Sequence, residues 1–405
     1  MNLKQNAFPA ATVPLALFGI VVLTYGPLIP WLGFYWDDWP YLWSYQSYGP
    51  AGFLDFVARD RPFSAWIFTL TTALFGENPL FYHLLALILR WLTAVLVWWI
   101  LRMVWPQNVH QATWVAFLFA VYPGFKSQPI ALIYNHHLAV LALFLLSLGT
   151  MLLAVRKPAW YWPLTIISLA SSLSMFSLEY YVGLELLRPP LLWLALRERI
   201  PDHRQRFYDV VRKWAPFLAV LALYLVWRVA LFEFPTYQPA LIDHIQETPL
   251  EGSLALAVTI YDDILDTVVR AWFSGLKLTG NSRLTAPTLL LILAGAVLTF
   301  YYLFRLRGDE TQSENDSQKW VRSRWAMEAM LLGGFAILIA GWPAWVTTLP
   351  VHLTFPYDRM TLPFMLGASL VAAGFIQVFI RPRLPQLITL AAITGIAAGI
   401  HFKNA

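Results

Sequence analysis

The 405-residue sequence contains no cysteine and few charged residues, which make up only 13% of the chain. Without cysteine, the chain can form neither a disulfide nor a thiolate metal site. Its formal net charge is +5. The basic residues lie between long apolar runs, where membrane topology accounts for them, so this charge does not indicate nucleic-acid binding. We find no internal repeat.

Apolar residues dominate the composition, with 59% hydrophobic residues and a mean hydropathy of +0.57. Long apolar runs recur along the whole chain. A helix needs about 20 apolar residues to cross a bilayer, because every backbone polar group must be satisfied inside it. The sequence therefore predicts an all-α polytopic membrane protein, with one transmembrane domain over residues 1–405. The first apolar stretch lacks a small-residue cleavage site, so we expect it to be retained.

The apolar stretches predict about 11 membrane spans. They cover residues 9–32, 78–104, 111–124, 129–154, 159–177, 181–197, 214–234, 284–304, 327–349, 359–380 and 386–402. Two further stretches, 62–76 and 254–275, are too short or too amphipathic to span, and we expect them to be interfacial helices.

The positions of Lys and Arg predict the orientation of the chain. With the N-terminus in the cytoplasm, most basic residues fall on the cytoplasmic side and many acidic residues on the other. Residues 33–77 and 235–283 then form two extracytoplasmic loops, and residues 305–325 form a cytoplasmic loop. The low hydrophobicity of this cytoplasmic loop predicts a linker rather than a domain.

Two adjacent acids, Asp37 and Asp38, end the first apolar stretch in the segment FYWDDWP. Ionisable groups at a membrane boundary are costly to desolvate, which favours a functional site. The alternative is a pair of solvated acids in an aromatic interface belt, where Trp and Tyr gather in any case.

A candidate anion site follows the acids along the chain. Arg61 precedes Pro62, a residue typical of the first position of a helix. A helix N-terminus beside a guanidinium can bind an anion. Alternatively, Arg59 and Arg61 extend towards water or pair with Asp60 and Asp55.

Two more candidate cations are predicted on the same side of the membrane. Lys126 lies near a span boundary, where it either binds an anion or extends towards water. Arg359 begins a span beside Asp358, so it is either an anion ligand or the partner of that acid. Within a span, Glu185 and Arg188 are three residues apart, so they share a helix face and are expected to neutralise each other.

The adjacent histidines His136 and His137 do not favour a metal site, because neighbouring side chains point about 100° apart on a helix. Other polar residues in or near the apolar runs are also candidates: His83, Arg90, Gln128, Asn135 and Glu179.

The order of several motifs resembles a known family. These motifs are Trp36-Asp37-Asp38, Arg61-Pro62-Phe63, Leu74 to Pro79, Tyr82-His83-Leu84, Leu118 to Pro123 with Gln128, and Leu178-Glu179-Tyr180. Over residues 10–200, this succession resembles the GT-C class of membrane glycosyltransferases, and within it the protein O-mannosyltransferases and glycosyltransferase family 39-like proteins. The sequence departs from the family pattern at Ala86, Arg90, Tyr122 and Leu178.

The resemblance implies a GT-C-like helical bundle that transfers a sugar, with inversion, from a polyprenyl-phosphate donor to an acceptor. The reaction would take place on the extracytoplasmic face of a bacterial plasma membrane, as part of cell-envelope synthesis. The acceptor is a glycan, a lipid or a protein. The alternative function is that of a non-catalytic transporter or a lipid-binding relative of the GT-C fold.

The resemblance also implies roles for individual residues. Asp37 or Asp38 would be the catalytic base. The donor phosphate would be bound by Arg61, Arg359 and Lys126. The substrate cavity would include His83, Tyr82, Glu179 and His136. No metal ligand is assigned, and the need for a divalent cation is open, since some members of the class use a metal and others do not.

Overall fold

A computed structural model describes residues 7–232, 241, 246–274, 284–307 and 316–405, with side chains from residue 324 onward in the last range. These residues form helices and turns, with one isolated bridge between Phe8 and Leu306. The α-helices are α1 Val13–Tyr25, α2 Asp38–Tyr48, α3 Phe53–Phe56, α4 Ala65–Phe75, α5 Pro79–Val104, α6 Val109–Ala120, α7 Ala131–Arg156, α8 Tyr161–Ser172, α9 Arg188–Leu196, α10 His203–Val226, α11 Pro249–Leu265, α12 Ala271–Phe273, α13 Thr285–Arg305, α14 Asp316–Ala340, α15 Trp342–Val346, α16 Met365–Phe379 and α17 Arg383–Asn404.

Seven helical segments of the described chain are long and apolar enough to cross a membrane. They are Pro79–Val104, Ala131–Arg156, His203–Leu231, Thr285–Arg305, Arg324–Val346, Tyr357–Phe379 and Arg383–Asn404. Each overlaps a predicted span, so the prediction of a helical membrane protein is confirmed, whereas the count of about 11 spans stays a prediction. The predicted spans 9–32 and 111–124 contain shorter helices, α1 with 13 residues and α6 with 12.

The predicted spans 159–177 and 181–197 contain interrupted helices. After α8, the chain forms 3₁₀ turns over Leu173–Phe176 and Glu179–Leu187 before α9 begins. The second of these turns packs closely on α14: a Cβ at Gly183 would lie 1.9 Å from the Ile339 carbonyl oxygen. Only glycine fits such an approach of two backbones. The interruption places Glu179 at a turn rather than inside a long helix.

The centre of the core is α6, in which every residue is buried. Carbonyl groups at its C-terminus and just beyond it accept hydrogen bonds from Arg90, which is fully buried. The Nε of Arg90 donates to the Ala120 oxygen at 2.9 Å, and its Nη2 donates to the Tyr122 oxygen at 3.3 Å. A cation at a helix C-terminus is stabilised by the helix dipole, so the Arg90 charge lies next to the negative end of α6.

The predicted pairing of Glu185 with Arg188 is confirmed. Both side chains are buried, and Nη2 of Arg188 donates to Oε1 of Glu185 at 2.7 Å. The same Nη2 donates to the Ser147 hydroxyl at 2.9 Å, and the guanidinium lies 4.1 Å from the Phe217 ring centroid. This pair neutralises two charges inside the bundle and joins α9 to α7.

The bundle has two ends, which we name after one residue each. The Asp37 face carries the loop 33–37, the segment 121–130 between α6 and α7, and the 3₁₀ helix Tyr357–Phe364. The Glu328 face carries the α5–α6 turn and the α9–α10 connection. Arg197 in that connection bonds Glu328 of α14 at 2.7 Å.

Candidate functional site

The loop that leads to Asp37 is fixed by the first turns of α5. The Nε2 of His83 lies 3.0 Å from the Gly33 carbonyl oxygen, and Phe34 packs edge-on against Tyr82. Tyr82 is fully buried, and its hydroxyl donates to the Gly76 oxygen at 2.8 Å. His83 and Tyr82, predicted in the substrate cavity, thus make contacts that hold this loop in place.

Asp38 is fully buried, and backbone amides occupy both of its carboxylate oxygens. The N–H of Ile133 donates to Oδ1 at 3.0 Å, and the N–H of Tyr35 donates to Oδ2 at 3.3 Å. Burial raises the pKa of Asp38 to about 7, although these hydrogen bonds lower it. The side chain therefore ties the first turn of α7 to the loop at residue 35.

Asp37, by contrast, is only partly buried. Burial raises the pKa of its carboxyl above the ordinary value, while the nearby Arg359 guanidinium lowers it. A carboxylate with a raised pKa at a partly open position is suited to accept a proton. Of the two predicted acids, Asp37 has this environment.

Trp36 turns the backbone just before Asp37. Its φ is +47°, a left-handed conformation that costs on the order of 1 kcal/mol in a residue other than glycine. Its ring packs edge-on against Phe355, with centroids 4.7 Å apart, and the Arg359 guanidinium lies 5.6 Å from its centroid. The contacts of Trp36 bring Asp37 and Arg359 together.

Arg359 and its neighbour Asp358 have different partners. The Nη1 of Arg359 lies 3.4 Å from the Tyr134 hydroxyl on α7. Asp358 accepts hydrogen bonds from the backbone N–H groups of Lys126 and Ser127, at 2.7 and 2.8 Å, and from the Ser127 hydroxyl at 2.6 Å. Asp358 thus fixes the loop before α7, whereas Arg359 is directed towards Trp36 and Tyr134.

Lys126 lies in a neighbouring cleft of about 460 Å³, which Tyr35, Phe355 and Asp358 also line. Its Nζ donates to the Leu353 oxygen at 3.0 Å. Burial lowers the pKa of this amine, although the nearby Asp358 raises it. Lys126 therefore lies in a cleft whose wall includes Phe355, the residue that packs against Trp36.

Arg61 is held by two carboxylates. Its Nε and Nη2 donate to Oε2 and Oε1 of Glu179, at 3.2 and 2.7 Å, and its Nη1 donates to Asp60 at 2.8 Å. The alternative in which Arg61 pairs with Asp60 is thus the one the structure shows, and the pairing with Glu179 was not predicted. Burial alone would raise the pKa of Glu179, but Arg61 outweighs it and the pKa lies below the ordinary value.

The guanidinium groups of Arg61 and Arg359 both lie near an aromatic cluster in the first two turns of α7. The His137 ring contacts Tyr134 and Tyr180, with centroids 4.9 and 5.1 Å apart, and it interacts electrostatically with both Arg61 and Arg359. Neither Tyr134 nor Tyr180 was among the predicted site residues, although Tyr180 follows the predicted Glu179. Tyr134 was detectable, because it lies three residues before His137 on the same helix face.

The two adjacent histidines make separate contacts. His136 is buried, packs edge-on against Phe68 and interacts electrostatically with Arg61 and Glu179. Among the described residues, its Nε2 has no hydrogen-bond partner. The described part of the chain contains no group of three or more His, Asp or Glu side chains that could hold a metal ion.

No family model matches this chain, and no curated protein matches it. The resemblance of its motifs to the GT-C class therefore remains a hypothesis. The chemistry of the site rests on the geometry of Asp37, Arg359 and Arg61.

Proposed function

We propose that the protein is an inverting glycosyltransferase of the GT-C type, which moves a sugar from a polyprenyl-phosphate donor to an acceptor. The observation that carries this proposal is the grouping of the Asp37 carboxylate with Arg359 at the first turns of α7, where Arg61 also lies within electrostatic reach of His137. A base and a cation are the minimum set of groups for this reaction.

In the proposed mechanism, Asp37 is the general base. The acceptor hydroxyl must lose a proton as it attacks the anomeric carbon, and a carboxylate within hydrogen-bond reach can accept it. Burial raises the pKa of Asp37, which makes its carboxylate a stronger base than one in water. Asp38 is a positioning residue, since both of its oxygens already accept backbone N–H groups.

The leaving group is a lipid phosphate, which needs cations rather than an acid. We assign the first contact to Arg359, because it is partly exposed and lowers the pKa of the nearby Asp37. Glu179 and Asp60 already neutralise Arg61. We therefore assign Arg61 no direct contact with the phosphate, only a contribution to the electrostatic potential of the site. Lys126 lies in the adjacent cleft, and we assign it a second contact with the phosphate of the long polyprenyl donor.

The proposed topology has about 11 spans, with the Asp37 face outside the cytoplasm of a bacterial cell. Two features support it. Basic residues concentrate at the opposite end of the bundle, as is typical of the cytoplasmic side. On α2 and α4, the exposed side chains include Trp39, Trp43 and Trp66, and indole rings are enriched at the depth of lipid headgroups.

A transfer assay tests the proposal directly. The purified protein is supplied with radiolabelled polyprenyl-phosphate sugars and a membrane extract as the source of acceptor. We expect transfer, or slow hydrolysis without an acceptor, and the loss of both in Asp37→Asn. Binding of a photoreactive polyprenyl phosphate without turnover of any donor would instead support the non-catalytic alternative.

A further inference from the structure

A second cavity opens at the Glu328 face, the end of the bundle opposite Asp37. Its volume is about 500 Å³. Three segments form its walls: the α5–α6 turn with Trp105, the α9–α10 connection from Arg197 to Arg206, and the part of α14 from Arg324 to Glu328. None of these residues belongs to the proposed catalytic site.

Glu328 organises the wall of this cavity. Its carboxylate accepts hydrogen bonds from Trp105 Nε1 at 2.7 Å, from Arg197 Nη1 at 2.7 Å and from Arg324 Nε at 2.8 Å. Within the described residues, Arg197 donates to Glu328 through Nη1, so the Nε and Nη2 groups of this guanidinium can donate to a ligand. The acid thus fixes two guanidinium groups beside the cavity.

The remaining polar groups of the wall are also mostly donors. Arg206 is buried, stacks 4.9 Å from the Trp193 ring centroid and donates to the carbonyl groups of Ile200 and Pro201. Trp325 is 2% exposed, and its Nε1–H has no acceptor among the described residues. A buried N–H without an acceptor is costly, and Trp325 lines the cavity, so an acceptor on a ligand there would lower that cost.

The charge of the lining agrees with an anionic ligand. Three arginines, Arg197, Arg206 and Arg324, face two glutamates, Glu198 and Glu328, which leaves a formal charge of +1 with His203 neutral. Guanidinium groups bind phosphate oxygens through two parallel N–H donors. The ligand that fits this donor-rich wall is therefore a phosphate group.

We propose that this cavity binds the phosphate of an anionic phospholipid headgroup. The source is a lipid rather than a soluble phosphate because the cavity lies at the ends of two membrane-crossing segments, His203–Leu231 and Arg324–Val346. Basic pockets between helix ends are a known setting for anionic lipid headgroups.

Native mass spectrometry of the detergent-purified full chain tests the proposal, with phosphatidylglycerol and phosphatidylcholine as probes. We expect the protein to retain phosphatidylglycerol about tenfold more tightly. The double variant Arg197→Gln/Glu328→Gln removes one cation and one anion, so the net charge of the cavity lining is unchanged. It should lose the preference for phosphatidylglycerol. Trp325→Phe keeps a ring but removes the N–H, and it should weaken binding by about threefold.

The control is Arg212→Gln, which removes an exposed cation of α10 outside the cavity and should leave binding unchanged. Equal retention of both lipids by the wild type, or unchanged retention in both cavity variants, would overturn the proposal. Competition by millimolar inorganic phosphate as strong as that by the lipid would also overturn it, by showing a soluble ligand. None of these readouts depends on transferase activity.

Discussion

Arg61 holds both carboxylate oxygens of Glu179, a residue 118 positions further along the chain, with Nη2 and Oε1 2.7 Å apart. The pair joins the start of α4 to the 3₁₀ helix Glu179–Leu187. It also fixes a guanidinium beside His136 and His137, with which it interacts electrostatically.

We expect Glu179→Gln to destabilise the protein by about 2 kcal/mol, because it removes a bidentate charge-assisted pair. The loss should depend on pH. The folded-state pKa of Glu179 is depressed, so its contribution is present above the unfolded-state pKa and is lost as the pH falls through the folded-state pKa.

The thermal midpoint of the detergent-solubilised protein, measured at pH 7 and at acid pH, checks this prediction. The gap between wild type and Glu179→Gln should close at the lower pH. Glu77→Gln is the control, since Glu77 is exposed. A gap that is constant with pH would show that the ion pair is not the cause.

Asp37→Asn should lower the rate of transfer by about 10²- to 10⁴-fold, the typical value of a general base. The thermal midpoint should change little, because the Asp37 side chain is only partly buried. Asp55→Asn, at an exposed position of α3, serves as the control. Full activity in Asp37→Asn would exclude Asp37 as the base.

Asp38→Asn should act mainly on stability, at a cost of roughly 1–3 kcal/mol. Ile133 and Tyr35 donate to different oxygens of Asp38, and asparagine replaces one of these oxygens with an NH2 group that cannot accept. Hydrogen exchange of the first turn of α7 should become faster in this variant. Unchanged exchange together with abolished transfer would instead identify Asp38 as the catalytic base.

Arg359→Gln should move the acidic limb of the kcat/KM profile to higher pH. The base must be deprotonated to act, and Arg359 lowers the pKa of Asp37. Removing the guanidinium raises that pKa, so activity appears only at higher pH. Arg359→Lys keeps the charge and should leave the limb near its original position. An acidic limb that does not move in Arg359→Gln would show that Arg359 does not affect the pKa of the catalytic base.

Arg90→Met should destabilise the protein by about 1–3 kcal/mol, because it removes a buried donor from the Ala120 and Tyr122 carbonyl groups, beside which the Tyr25 hydroxyl and the His401 ring remain. The measurement is the thermal midpoint, with Arg381→Met as an exposed control. Equal midpoints in the two variants would contradict the proposed capping of α6.

Local pattern was enough to predict the seven long apolar helices of the described chain and one ion pair. Apolar runs of about 20 residues predict membrane-crossing helices because length and composition decide them. The pairing of Glu185 with Arg188 follows from their spacing of three. The interruption near Gly183 depends instead on close contact with Ile339, which lies on another helix and leaves no periodic signal in the sequence.

The site was predicted only in part, for the same reason. The sequence marks Asp37 and Asp38 as unusual, but it cannot distinguish them, since the difference lies in the backbone N–H of Ile133, 95 residues away from Asp38. Likewise, Glu179 and Asp60 both lie within reach of Arg61, and only the fold shows that Arg61 binds both.

The anchored carboxylate of Asp38 has a consequence for its neighbour. The Asp38 carboxylate accepts hydrogen bonds from two backbone segments. The backbone at Asp37 therefore loses its conformational freedom during folding, before any substrate binds. Ordering a side chain at the moment of binding costs about 0.5–1.5 kcal/mol, and preorganisation removes much of that cost. In the proposed mechanism, positioning and proton transfer thereby belong to adjacent residues, so a substitution at position 37 can change the chemistry while Asp38 still holds the loop in place.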